Sequence, residues 1–210
     1  MNEIKFTYDL ASLAYPFVQE ITVPRGARGI LTVRGTVSRD VSYAITAHVA
    51  EGASLTVDDF IETSAHCKAA LAVLLEGKGA SLTDNSRYHG RGTAQFEIER
   101  AVVHTGAETV SHLEARGVVE ETARAVWRGR IRVEKSAQKA HAVQNHHALL
   151  AGAKAYMDAS PVLEIFTNDV VCSHSASVTR VKNESLFYLQ SRGVPRKEAE
   201  QHIINGFLYG

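Results

Sequence analysis

Two residues stand out as soft or borderline metal ligands: Cys172 and His174, in Val170-Val171-Cys172-Ser173-His174-Ser175-Ala176-Ser177-Val178. This segment is strand-like, and in extended backbone the two side chains share a face about 7 Å apart. A thiolate and an imidazole so placed can bind one iron or zinc ion, or share a cluster edge. Two ligands do not close a tetrahedral site, so the others would have to come from elsewhere in the fold or from another subunit. The alternative is a buried thiol beside a hydrogen-bonded core histidine. A second concentration is His141, His146 and His147. If this stretch is extended, His147 and Leu149 share one face and His146 points the other way; the alternative is a polar, partly exposed surface. Cys67 shares its parity with Ala69, Leu71 and Val73, which predicts a core position.

Other chemistries lack their residues. No Gly-x4-Gly-Lys-Ser/Thr loop is present to cradle a nucleotide, no Gly-x-Ser-x-Gly elbow and no His-Glu-x-x-His helix. Trp127 is the sole tryptophan, so no aromatic platform for sugars is evident.

The elements that must position these residues are short strands. Ile30-Leu31-Thr32-Val33, Gln95-Phe96-Glu97-Ile98 and Arg130-Ile131-Arg132-Val133 are strand-like, the last two with apolar residues at every second position. Small-residue pairs punctuate them: Gly26-Ala27, Gly52-Ala53, Gly79-Ala80 and Gly106-Ala107. A repeat of this length built from short strands predicts a solenoid, with the small pair at each corner. An antiparallel sandwich with Gly-Ala turns is the alternative, although Asn-Gly and Asp-Gly hairpin signals are missing from this region. After Asn183, expected as an N-cap, the pattern turns helical. Leu186, Phe187 and Leu189 form a first helix and Gly193 marks its end. Pro195 then opens a second helix carrying Ala199, Ile203, Ile204 and Phe207, and Asn205-Gly206 is expected to end that helix early. The helical pair either covers the end of the solenoid or docks a second protein.

The 210 residues carry 23 Lys and Arg against 23 Asp and Glu. Zero net charge argues against general nucleic-acid binding. No apolar run approaches the ~20 residues of a membrane span, and Glu3, Lys5 and Asp9 interrupt any secretion signal. A cytoplasmic protein with two free thiols is expected.

The C-terminal motif resembles a known family. Pro161-Val162-Leu163-Glu164-Ile165-Phe166-Thr167-Asn168-Asp169-Val170-Val171-Cys172-Ser173-His174-Ser175-Ala176-Ser177-Val178 is similar to the Pro-x-Leu-Glu-Ile-x-x-Asp-Asp-Val-x-Cys-Ser-His-Gly-Ala-Thr-Val block of the SufB/SufD family of iron–sulfur cluster assembly scaffolds. Leu186-Phe187-Tyr188-Leu189-Gln190-Ser191-Arg192-Gly193-Val194 resembles a second block. Arg116-Gly117-Val118-Val119, Gly129-Arg130-Ile131, Ala137-Gln138-Lys139, Gln144 and Leu149-Leu150 continue the likeness in order. The likeness is specific from about Ser111 to Leu208 and diffuse from about Glu20 to Val110. Asn168, Ser136, Ser175 and Asn183 depart from the family pattern. His146 aligns where SufB-type members carry a functional cysteine, whereas the Cys-Ser-His block is the SufD-type version.

The resemblance implies a mainly β fold: a right-handed parallel β-helix over residues 20–182, after an N-terminal segment 1–19, with a C-terminal helical hairpin over 183–210. It implies a non-enzymatic scaffold that works with a SufC-type ABC ATPase and pairs as a homodimer, or as a heterodimer with a SufB-type subunit. It implies a transient iron–sulfur cluster at Cys172, His174 and His146, with Cys172 and His174 as the metal ligands. Phe187, Arg192, Ala199, Ile203 and Phe207 are the residues expected to meet the ATPase. The rival readings are a β-helix or cupin-like metalloenzyme using the histidines, and a purely structural subunit.

Overall fold

Inward apolar residues alternate with outward polar ones along nearly every strand, and that period of two sets the architecture. In β5 (Ser54–Thr63), Leu55, Val57 and Ile61 are buried while Thr56, Asp58 and Phe60 look outward. A computed structural model describing residues 2–210 shows thirteen strands wound as a parallel solenoid of about six turns, followed by two helices. Odd-numbered strands stack as one seven-stranded sheet, from β1 (Glu3–Asp9) through β3 (Arg28–Val37), β5, β7 (Ser81–Gly90), β9 (Val110–Glu120) and β11 (Ala140–Ala151) to β13 (Val170–Arg180). Even-numbered strands form the second sheet, from β2 (Phe17–Val23) through β10 (Arg124–Val133) to β12 (Tyr156–Ile165). Every neighbouring pair is parallel. The core is the space between the sheets, filled by residues such as Leu31, Ile45, Leu55, Leu82, Phe96, Trp127 and Ile131. Cys67 lies in it, fully buried, as its parity predicted.

The N-terminal boundary differs from expectation. Residues expected as a separate segment up to position 19 already contribute β1 and the start of β2 to the solenoid, because Ile4, Phe6, Tyr8 and Phe17 pack against the core.

The corner repeat is also corrected in part. Gly52 and Gly79 hold φ of 63° and 67°, the left-handed region that suits glycine. One coil later the left-handed residue is Glu108 (φ 58°), and Thr109 takes the buried place of Ala80. Gly106 instead stacks on Gly77, so closely that a Cβ would lie 2.3 Å from the Gly77 carbonyl oxygen. The coils lengthen along the solenoid: Ser54 is in register with Ser81, Ser81 with Val110, and Val110 with His141. The extra residues displace the corner from the Gly-Ala dipeptide.

Helix α1 (Asn183–Ser191) starts one residue earlier than expected. Lys182 is the N-cap and no side chain caps the helix, so Asn183 is its first residue. Gly193 ends it at φ 86°, with Gly193 N–H donating to Gln190 and Val194 N–H to Leu189, a Schellman closure. Helix α2 (Arg196–Tyr209) runs through Asn205-Gly206 rather than stopping there. Its far end is held against the sheet. Ile204 and Leu208 pack on Val118 and Leu149, which point outward from β9 and β11. Arg116 donates to the Phe207 carbonyl at 3.1 Å and also to that of Gly210, while the Tyr209 ring lies tilted against Phe60, centroids 6.0 Å apart. The hairpin therefore flanks the odd-strand sheet and leaves the end of the solenoid bare.

Candidate functional site at the open last coil

Among the described residues the solenoid ends in a coil whose two strands are both edges. β13 is the edge of one sheet and β12 the edge of the other, so their outer backbone groups face no strand of this chain. Large apolar side chains around this end lie in water: Val162, Ile165, Phe166, Val171 and Val178 are all more than two-fifths exposed. An unpaired edge with an apolar border is a template for a further strand pair.

Cys172 and His174 share one face of β13, as strand parity predicted, and in the structure that face is the lumen side. Their register partners are Ala142 and Gln144, both fully buried inward residues of β11. Cys172 is half-buried against the core, and this burial raises its thiol above the ordinary value. His174 is exposed. Among the described residues no three His, Cys, Asp or Glu side chains converge as a metal site. The convergent histidine cluster of a self-contained metalloenzyme is therefore not what this lumen shows.

His146 sits apart from the pair in one respect: it is fully buried, one coil beneath the mouth, in register with Ala176. The Trp127 indole stacks on its ring with centroids 4.5 Å apart, and its Nε2 bonds the Tyr88 hydroxyl at 2.8 Å. Burial, with a smaller contribution from the charge of His147, lowers its pKa to about 3. It is a neutral core imidazole rather than part of a polar surface. His147 does face outward, with Nδ1 2.7 Å from the Ser177 hydroxyl, and His141 is exposed.

Deeper in the lumen lies a charged group that sequence reading missed. Arg100 donates to Asp59 and to the Ser86 hydroxyl (3.2 Å), and its Nε lies 3.6 Å from Asp84. All four are buried. Burial raises the Asp59 carboxyl to about 6 despite the adjacent guanidinium. The available signal was parity: Asp59, Asp84 and Arg100 occupy inward positions of otherwise alternating strands.

Of the residues expected to meet the ATPase, α1 presents two. Phe187 is 73% exposed, and the exposed Arg192 lies with its guanidinium 5.4 Å from the Tyr188 ring centre. The α2 stripe is corrected. Ala199 is fully buried, and Ile203 and Phe207 are partly buried against the Val118–Leu149 cluster, so most of this stripe is satisfied within the chain.

A family model described as "SUF system FeS cluster assembly, SufBD core domain" matches residues 15–207. The chain belongs to the SufB/SufD family. It is 38% identical over 119 residues to the iron-sulfur cluster assembly protein SufD of Bacillus subtilis (strain 168), covering 57% of this chain and 27% of that protein. With SufD of Escherichia coli (strain K12) it shares 42% identity over 90 residues, 43% of this chain and 21% of the relative. With SufB of Bacillus subtilis (strain 168) it shares 28% over 138 residues, 65% and 30% respectively. The chain thus spans less than a third of the length of these relatives.

The description of that family names iron–sulfur cluster assembly. A thiolate and an imidazole, the groups on β13, are ligand types of iron and of iron–sulfur clusters. No helix among the described residues is long and apolar enough to cross a membrane.

Proposed function

We propose that the chain is a scaffold subunit of iron–sulfur cluster assembly in the cytoplasm that catalyses no turnover of its own. The observation that carries this reading is the open last coil, with Cys172 and His174 on its lumen face and an apolar border around them. The nascent cluster is cargo. Cys172, once deprotonated, and His174 hold one side of it, and the other side belongs to a second subunit that continues the two sheets past β12 and β13. That subunit is a second copy of this chain or a SufB-type partner. His146 supports the site from below as a neutral core group rather than as a ligand.

A SufC-type ATPase docks on the helical hairpin, led by Phe187 and Arg192. An exposed phenylalanine and an arginine are anchors of the kind that dominate interfaces, and burying the ring contributes about 1.5–3 kcal/mol. Helix α2, seated on β9 and β11 through Ile204 and Leu208, is the rigid link from that contact to the solenoid. ATP is hydrolysed on the partner, because this sequence has no phosphate-cradling loop.

Coelution with a purified SufC-type ATPase tests the arrangement. Phe187→Ala combined with Arg192→Ala should abolish it. Val171→Asp, at the bare edge, should abolish subunit pairing and leave ATPase binding intact. Unchanged coelution of the helix variant contradicts the docking site, and unchanged pairing of the edge variant contradicts the junction.

A further inference from the structure

Gln144 is fully buried, and neither its amide oxygen nor its amide nitrogen has a hydrogen-bond partner. Leaving a buried amide unpaired is costly, and native interiors contain few such groups. The nearest inward neighbours of Gln144 on the same strand are Ala142 and His146; the His146 Nδ1 and the Trp127 indole nitrogen are also unpartnered, and no bond joins either of them to the amide.

Its placement is specific. Gln144 reaches across the lumen to β10, where a Cβ on Gly129 would lie 2.6 Å from its Nε2 and 2.2 Å from the Trp127 ring. The bare glycine leaves the amide its room. One strand spacing toward the open end, about 4.8 Å away, Pro161 is in register with Gly129 and His174 with Gln144. Among the described residues β13 is the edge strand of its sheet. A single layer therefore separates the orphaned amide from the mouth, and that layer carries Cys172 and His174.

We infer that Gln144 is a third member of this site, and that its amide oxygen, with the Cys172 sulfur and the His174 imidazole, holds a divalent first-row metal ion. The inference rests on the reading of Cys172 and His174 proposed above and extends it inward. Sulfur, nitrogen and carbonyl oxygen together form a mixed donor set suited to ferrous, cobaltous or zinc ions. Three protein donors leave one position open. Binding replaces the thiol proton of Cys172, which leaves to solvent, and involves no change of oxidation state.

Cobalt(II) is the probe, titrated anaerobically into the purified chain while thiolate-to-cobalt charge-transfer absorption is followed. The wild type should develop that band. Gln144→Met and Gln144→Leu should each weaken cobalt binding by about 10- to 100-fold, the loss usual when a supporting group of a metal site is removed. Both variants should also melt higher than wild type, since the unpaired amide is gone. A merely structural Gln144 cannot give this opposition of weaker binding and higher stability. Raised melting with unchanged cobalt affinity overturns the inference while leaving the reading of Cys172 and His174 in place. Absence of the band in the wild type overturns both.

Discussion

His146 shows how the lumen sets the chemistry of a single residue. Burial holds its pKa at about 3, against about 6.5 in an unfolded chain. Between these values the unfolded state binds a proton that the folded state refuses. The stability linked to this group is therefore complete above about pH 6.5 and falls as the pH drops toward 3. His104, bonded to Thr109 and Ser111 and lowered by burial to about 4, acts in the same direction. Asp59 opposes them, because its raised carboxyl keeps a proton in the folded state up to about pH 6. Asp84, also raised by burial, adds to Asp59; the two histidines oppose protonation over the whole interval below pH 6.5 and predict a lower denaturation midpoint at pH 5 than at pH 7.5. The His146 ring signals in NMR should stay those of a neutral imidazole across that range. Titration of His146 near pH 6.5 would mean that the ring is not enclosed. Sequence parity placed His146 on the face opposite His147, but it did not reveal which face was the lumen. That depends on the sheet across the way and on α2, which covers Leu149 from outside.

The elements follow one rule, the stacking of equivalent corners, and the corner residues test it. Gly79 (φ 67°) and Glu108 (φ 58°) occupy the same left-handed place in successive coils. A side chain in this conformation costs roughly 1–2 kcal/mol relative to glycine. Gly79→Ala should therefore destabilise the protein by about 1 kcal/mol, and Glu108→Gly should stabilise it by a similar amount, both read by urea denaturation. Equal and opposite signs would establish the corner as a repeating device; a destabilising Glu108→Gly would contradict it. Strand identity and the solenoid were legible because alternation and small-residue spacing are local signals. The drift of the corner from Gly106 to Glu108 was not, since it arises from coils that lengthen by a residue or two. The seating of α2 is not legible in the sequence for a related reason. An apolar stripe on a helix reports that it needs a partner but not whose surface provides it, and here Val118 and Leu149 of the same chain do.

For the whole molecule, the decisive feature is asymmetry. A solenoid has two ends, and at one of them the last coil displays Cys172 and His174 among exposed apolar residues, with the helices set to the side. The motif was legible as spacing, two ligands on one strand face. The orphaned amide of Gln144 beneath them was not, because burial and missing partners exist only in three dimensions. Anaerobic reconstitution with ferrous iron and sulfide tests the central claim most directly, with the purified protein followed by absorbance and size-exclusion chromatography. The paired protein should develop an iron–sulfur chromophore that comigrates with it, and Cys172→Ser combined with His174→Ala should remove the chromophore while thermal melting stays nearly unchanged. No chromophore in the wild type, or an undiminished one in the double variant, would contradict the assignment of this open coil as the place where the cluster is held.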